Sequence, residues 1–155
     1  MQKIKIDRTI SPFFTYFGGK WRIALTYPPP TERTIIEPFA GAAGYSVRHY
    51  QKDVILYDVN PRVVGTWEYL IKVTPSDILA LPLTFSDVRD LKIPQEAKWL
   101  IGWWVNKGCS EPRNKFTDWR KLRPDGHWGS IIRYRIAKNV NKIRHWKVFQ
   151  GSYEM

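Results

Sequence analysis

The stretch from Thr34 to Gly44 constrains the fold of this chain more than any other. Thr34, Ile35 and Ile36 form a short, β-branched run that predicts a strand buried on both faces. The segment that follows, Glu37-Pro38-Phe39-Ala40-Gly41-Ala42-Ala43-Gly44, contains nothing larger than Ala between Phe39 and Tyr45. Such a turn lets backbone approach a ligand closely and exposes N–H groups at the start of the next helix. Small-residue turns are common in α/β proteins, so this turn alone does not establish ligand binding.

A second predicted strand strengthens the case for a ligand. Val54-Ile55-Leu56-Tyr57 is followed by Asp58-Val59-Asn60-Pro61, at about the distance that a βαβ unit requires. An acidic residue at the end of the second strand is where the hydroxyl pair of a ribose is held. Alternatively, Asp58 caps the helix that begins near Pro61. The two roles are compatible.

Another block, Phe14-Thr15-Tyr16-Phe17-Gly18-Gly19-Lys20, lies upstream and is the first of three in chain order, with Glu37–Gly44 the second and Asp58–Asn60 the third. With it, the sequence resembles the Dam-like adenine-specific DNA methyltransferases. In that family an aromatic-x-Gly-Gly-Lys block, a Glu-Pro-Phe-x-Gly-x-Gly-like block and an Asp-x-Asn block follow one another in this order. The resemblance covers the first half of the chain well and the remainder loosely. It implies an α/β, Rossmann-like methyltransferase fold, S-adenosylmethionine as the cofactor and the N6 amine of adenine in DNA as the substrate.

The resemblance also implies a cofactor site drawn from these three blocks, with Asp58 on the ribose hydroxyls. The expected cofactor-binding residues are Tyr16, Gly18, Gly19, Lys20, Glu37, Pro38, Phe39, Gly41, Ala43 and Asp58.

The distribution of charge points to a second partner. Of the net charge of +11, +9 lies between Arg113 and Lys147, where eleven Lys or Arg stand against only Asp118 and Asp125. A basic block of this kind favours a polyanion, and in the family this place in the chain holds the target-recognition region. We therefore expect DNA as a partner. The expected DNA-binding residues are Arg113, Lys115, Arg120, Lys121, Arg123, Arg133, Arg135, Lys138 and Lys142.

The order of these features predicts three portions of the chain. A cofactor-binding, Rossmann-like portion spans 1–81, a helical and basic target-recognition portion spans 82–147, and 148–155 begin the next core strand of an incomplete sheet. Apolar spacing predicts that Trp67, Trp99, Trp103 and Trp104 are core residues, and Ser130 is a candidate helix cap. The predicted helices are 18–27, 44–51, 61–73, a short one ending at 81, 95–107 and 130–145, and the predicted strands are 34–39, 54–59 and one near 148–153.

Several other functions are disfavoured. No apolar run approaches the ~20 residues of a membrane span, so we expect no membrane association and a soluble, cytoplasmic protein of a bacterial or phage-infected cell. The single cysteine, Cys109, excludes an intramolecular disulfide and a cysteine-rich zinc site. His49, His127 and His145 lack metal-ligand spacing, and we interpret them as surface or packing residues.

The family's catalytic block does not occur in the 155 residues. The segment from Val148 to Tyr153 is similar to a family block that often carries an acidic residue, but Ser152 stands at that position. No Asp-Pro-Pro-Tyr follows, and that block holds the adenine amine and stacks on the flipped base. We therefore name no catalytic residue and expect the isolated chain to be inactive in methyl transfer. We also expect a protein partner or a C-terminal segment to cover the open edge of the sheet.

Three hypotheses follow. The leading one is a Dam-like DNA methyltransferase, or the cofactor-binding and DNA-recognition part of one. The second is a catalytically inactive DNA-binding or cofactor-binding remnant or subunit. The third, ranked behind both, is a general basic nucleic-acid-binding domain whose motif blocks are coincidental.

Overall fold

Three parallel strands form the sheet at the centre of the protein. The structure, a computed structural model, describes residues 7–117, 126–152 and 154. Within them, β1 (Thr34–Glu37), β2 (Asp53–Asp58) and β3 (Lys147–Gln150) pair in the order β1-β2-β3. Both pairings are parallel. The fold is therefore mixed α/β with a small parallel sheet, an arrangement compatible with a Rossmann-like fold.

Helices connect and cover these strands at the places where apolar spacing predicts them. The described α-helices are α1 (Gly44–Arg48), α2 (Pro61–Lys72), α3 (Pro75–Leu79), α4 (Gln95–Val105) and α5 (Ser130–Asn139), with 3-10 helices at Ile23–Thr26, Val88–Asp90 and Val140–Ile143.

Several predicted helices were too long. The predicted helix 44–51 is helical only over Gly44–Arg48. Of the predicted helix 18–27, only Ile23–Thr26 is helical, as one 3-10 turn. The predicted helix 130–145 is α-helical only to Asn139 and continues as the 3-10 turn Val140–Ile143. The side chain of Asn139 donates to the carbonyl of Arg135, and Asn side chains that bond nearby backbone compete with regular helix geometry.

The helix caps also differ from those predicted. Asn60, rather than Asp58, caps α2, because its side-chain oxygen accepts the Arg62 N–H at 2.9 Å. Ser130 is not a cap; the residue before α5 is Gly129, and no side chain caps that helix end. At α3, Thr74 and Asp77 form a reciprocal capping box, as the Thr-Pro-Ser-Asp sequence suggests.

The prediction that β1 is buried on both faces was wrong. Ile35 is buried, but Ile36 is 57% exposed. In β2, Val54 and Leu56 are buried, whereas the residues between them are only half-buried. Successive side chains of a strand point to opposite faces, so this alternation means that only one face of the sheet packs into the core.

Trp67 of α2 lies at the middle of that core and is fully buried, as predicted. Its indole N–H donates to the carbonyl of Gly41 at 2.8 Å. Its ring centroid lies 5.8 Å from that of Phe13, 5.2 Å from that of Phe14 and 5.4 Å from that of Trp146. Trp67 thus connects three parts of the chain: the start of the Gly-Gly-Lys block, the small-residue turn and the residue just before β3.

Two of the three tryptophans of α4 are core residues, whereas Trp99, also predicted to be buried, is only half-buried. Trp103 and Trp104 are buried, and their indole N–H groups donate to the Thr66 hydroxyl and the Phe13 carbonyl. A single apolar cluster runs from Ile10 to Trp146 and includes residues from both the 1–81 and the 82–147 portions. Within the described part of the chain, no helix has the length and apolar character to cross a membrane.

Trp67→Phe tests the importance of the indole hydrogen bond. The change leaves the Gly41 carbonyl without its donor and a small void, so we expect the free energy of unfolding to fall by about 1–3 kcal/mol. Urea unfolding monitored by circular dichroism measures this. Trp99→Phe is the control, because Trp99 is only half-buried and its indole has no hydrogen bond among the described residues. Equal losses in the two variants would contradict the role of the hydrogen bond.

Candidate ligand site at the carboxyl ends of the strands

Asp58 joins the end of β2 to the small-residue turn after β1. Its Oδ2 accepts the Gly41 N–H at 3.0 Å, and its Oδ1 accepts the Asn60 N–H at 2.9 Å. The carboxylate is nearly buried, with the residue only 9% exposed. Each carboxylate oxygen has a second lone pair, so Asp58 can accept further hydrogen bonds while holding the turn.

The backbone conformation and the close packing at position 41 require glycine. Its φ of 47° is in the left-handed region, and a Cβ there would be 2.9 Å from the Tyr16 ring. The aromatic residue of the first block therefore packs directly on the backbone of the second. Two of the blocks predicted to form a site thus contact each other at Gly41, and Asp58 brings the third to the same residue.

The Gly-Gly-Lys block lies against the start of α1. A Cβ on Gly44 would be 2.7 Å from the Trp21 nitrogen and 2.9 Å from the carbonyl carbon of Lys20. The block is itself folded into a turn, in which Gly19 donates to the Tyr16 carbonyl at 3.0 Å. Gly18 has a φ of 73°, with open space on its Cβ side.

The turn offers fewer free N–H groups than the sequence suggests. Ala40 donates to the Tyr57 carbonyl and Ala43 to the Ala40 carbonyl, in addition to the Gly41 bond with Asp58. The expectation of several unpaired N–H groups was therefore wrong at these three positions. Helix α1 is also only five residues long.

Ala43 occupies a strained position before α1. Its φ is 49°, the only positive value among the described non-glycine residues. The family-like pattern has glycine near this point, and glycine adopts this conformation without steric cost.

Glu37 and Lys20 share a cleft beside β1. The cleft has a volume of about 640 Å³ and is also lined by Tyr27, Tyr45 and the three prolines 28–30. Burial raises the pKa of Glu37, although the Ser46 hydroxyl donates to its carboxylate. The tri-proline segment is thus one wall of a cleft. Ser46 had no sequence signal, since a hydroxyl residue in a short helix is unremarkable.

Apolar side chains surround this edge of the sheet on its solvent side. Phe17, Phe39 and Val59 are each well exposed, and they belong to the three motif blocks in turn. Pro38, between Glu37 and Phe39, is half-buried. The site therefore combines one nearly buried carboxylate, one cleft with a carboxyl and an ammonium group, and an apolar rim.

A polar bridge near the site was not predicted. Glu111 accepts from the Arg62 guanidinium at 2.7 Å and from the Asn60 amide at 3.3 Å. In addition, Phe17 donates to the Cys109 carbonyl at 3.1 Å. These contacts fix the segment after α4 beside the first and third blocks. They join residues far apart in sequence, so no local pattern indicated them.

Several of the predicted DNA-binding residues are engaged inside the protein. Arg133 donates to the Leu81 carbonyl, just beyond α3, at 2.8 Å. The Lys142 ammonium donates to the Thr9 hydroxyl at 2.8 Å, and Lys115 lies 3.9 Å from the carboxylate of Asp87. Arg113 is exposed.

Arg135 and Lys138 are exposed on α5, and neither forms an ion pair or a side-chain hydrogen bond with another described residue. Arg120, Lys121 and Arg123 lie outside the described residues.

Within the described parts of the chain, the histidines and the cysteine belong to no group that could hold a metal ion. Among the described residues, no group of three or more His, Cys, Asp or Glu could hold a metal ion. His127 is buried, His145 bonds the Lys52 carbonyl, and His49 packs on the Tyr45 ring. Cys109 is a free thiol.

No protein-family model matches the chain, and no curated protein matches its sequence significantly.

Ala43→Gly should stabilise the protein, because glycine removes the left-handed strain. We expect the free energy of unfolding to rise by up to about 1 kcal/mol, measured by urea unfolding. Ala42→Gly is the matched control: its φ is not positive, so the added flexibility of the unfolded chain should lower stability there. A loss of stability in both variants would argue against strain at Ala43.

Glu37→Gln should change how stability depends on pH. Because burial raises the pKa of Glu37 above its ordinary 4.5, the folded protein keeps this proton at pH values where the unfolded chain has lost it. Wild-type stability therefore falls as pH rises through that window, and the variant lacks this contribution. We expect the stability of Glu37→Gln relative to wild type to increase above pH 4.5 and then level off. Thermal unfolding across pH measures it, with Glu32→Gln, at the exposed rim of the cleft, as control. A pH-independent difference would contradict the assignment.

Proposed function

We propose that this chain binds S-adenosylmethionine at the carboxyl ends of β1 and β2 and binds DNA through its basic segment. It acts as a Dam-like DNA adenine-N6 methyltransferase, or as the cofactor-binding and DNA-recognition part of one. The observation that carries the proposal is the convergence of three motif blocks on Gly41. Tyr16 packs on it, and Asp58 accepts its N–H.

The residues at this edge fit the chemistry of the cofactor. A nucleoside needs an acceptor for its ribose hydroxyls and apolar surface for its base, and Asp58 and the exposed side chains of Phe17 and Phe39 offer these. An amino-acid group needs one anionic and one cationic partner, and Glu37 and Lys20 line the same cleft. When bound, S-adenosylmethionine supplies an electrophilic methyl group on a sulfonium.

The contribution of the chain is binding and orientation. Asp58 is held by two backbone N–H groups, so its carboxylate is already oriented before a ribose arrives. The contact of Gly44 with the backbone of Lys20 and Trp21 fixes the cleft wall relative to the turn. Pre-arranged groups of this kind lose little freedom on binding, which favours affinity.

DNA binding is supported by the charge of the chain beyond α4. Residues 126–150 contain six Lys or Arg and no Asp or Glu. A surface with such an excess of cations attracts phosphates and releases counterions when it binds them.

Asp58→Asn tests the cofactor assignment. Replacing the carboxylate with an amide removes charge-assisted hydrogen bonds, so we expect affinity for S-adenosylmethionine to fall by on the order of 1–3 kcal/mol. Isothermal titration calorimetry measures this on protein whose folding is checked by circular dichroism. Asp53→Asn, at the opposite end of β2 and paired with Arg33, is the control.

Two negative results of this titration would have different meanings. If the folded wild-type chain binds no S-adenosylmethionine, the proposed cofactor is wrong. If it binds, and Asp58→Asn binds equally well, only the role of Asp58 is wrong.

A binding protein without catalytic activity is the second candidate, favoured by the lack of an Asp-Pro-Pro-Tyr block in the 155 residues. Transfer of labelled methyl from S-adenosylmethionine to an adenine-containing duplex separates the candidates. We expect the chain alone to give no turnover, because the block that would hold the adenine amine does not occur in the 155 residues. We expect turnover when a polypeptide carrying that block is added. Robust turnover by the chain alone would reject the second candidate.

A further inference from the structure

Helix α5 presents an outward face that no described residue covers. Ile131, Tyr134, Arg135 and Lys138 are all exposed, with Ile131 at 63% and Tyr134 at 60%. Their spacing of three, four and seven residues places them on one face of the helix. The opposite face carries Ile132, Ile136 and Ala137 and is buried in the core. We refer to the four exposed residues as the α5 outer face.

The cations of the outer face are available to a partner. Among the described residues, neither Arg135 nor Lys138 forms an ion pair or a side-chain hydrogen bond, and the Lys138 ammonium lies 5.9 Å from the Tyr134 ring centroid. The neighbouring Arg144 is used inside the protein, where its guanidinium donates to the carbonyls of Ile71 and Val73 at the end of α2. This contact satisfies carbonyl groups at the C-terminal end of α2. The positive charge of Arg144 also interacts favourably with the negative end of the helix dipole.

Burial thus separates the five basic residues from Arg133 to Arg144 into two groups. Arg133, Lys142 and Arg144 are half-buried and donate to groups of the protein itself, whereas Arg135 and Lys138 face outward beside an exposed isoleucine and tyrosine. A charged face with no acidic residue nearby in sequence complements a polyanion, and an α-helix about 10–12 Å across fits a major groove about 12 Å wide.

We propose that the α5 outer face lies in the major groove of duplex DNA, with Arg135 and Lys138 on phosphates and Ile131 and Tyr134 toward base edges. This inference rests on the proposed DNA-binding function and assigns it a surface. It also predicts that Arg133 and Lys142 make no contact with DNA. Apolar side chains in the groove contact features such as the thymine methyl group, so they contribute affinity without a salt dependence.

Two double variants test the two parts of the face. Arg135→Ala with Lys138→Ala should weaken binding to a fluorescein-labelled 20-base-pair duplex. It should also reduce the slope of log affinity against log salt by about 1.8, or about 0.9 for each phosphate contact. Ile131→Ala with Tyr134→Ala should weaken binding by on the order of tenfold with the slope unchanged. Fluorescence anisotropy across salt concentrations measures both, and thermal unfolding checks that these exposed changes leave the fold intact.

The matched control is Lys72→Ala with Lys92→Ala, which removes the same charge from exposed positions outside α5. The inference stands if the control keeps the wild-type affinity and salt slope while the Arg135/Lys138 variant binds more weakly and has a smaller salt slope. Equal behaviour of the two variants would overturn it, since only net charge would then matter. Unchanged DNA binding in both α5 variants would also overturn it and assign the face to a protein partner. If the wild-type chain does not bind the duplex at all, the proposed DNA-binding function itself fails.

Discussion

The hydrogen bond from the Trp67 indole to the Gly41 carbonyl is the contact on which the architecture depends. It fixes the small-residue turn to α2, while the ring of Trp67 contacts Phe14 on one side and Trp146 on the other. The turn, the Gly-Gly-Lys segment and the entry to β3 are thereby positioned by one buried side chain. A buried indole must satisfy its N–H, and here the acceptor belongs to the residue whose own N–H is held by Asp58.

Asp58 has an observed structural role, and the proposed cofactor site would give it a second one. Inside the protein it closes the turn onto β2, and at the edge of the sheet it retains capacity to accept from a ligand. The same residue cannot be optimised freely for either role. The cleft beside β1 shows a similar balance, because the burial that shapes it also disfavours the charged form of Glu37.

Much of the fold could be predicted from local sequence, because apolar spacing and Pro, Asn and Thr signals are local. The buried face of α5, the core position of Trp67 and the capping box at Thr74 follow from such patterns. The exposure of Ile36 does not follow from a local pattern, because it depends on which face of the sheet the rest of the chain covers. The hydrogen bonds of Arg144 could not be predicted either, because the carbonyls that accept them lie more than seventy residues away in sequence. For the candidate site, the sequence indicated the three blocks but not the partners of Asp58.

The parallel pairing of β2 with β3 has a consequence for how the chain folds. Leu56 pairs with Val148, so the central strand meets its neighbour only after most of the intervening chain has been brought back to it. Closing so long a segment costs entropy before its contacts are gained, and parallel pairings of this kind form slowly. Strand β1, the turn and α2 are close in sequence and can assemble earlier. During that interval the core surface of α2 that later contacts Trp146 is exposed to water, and the nascent chain is then most susceptible to aggregation.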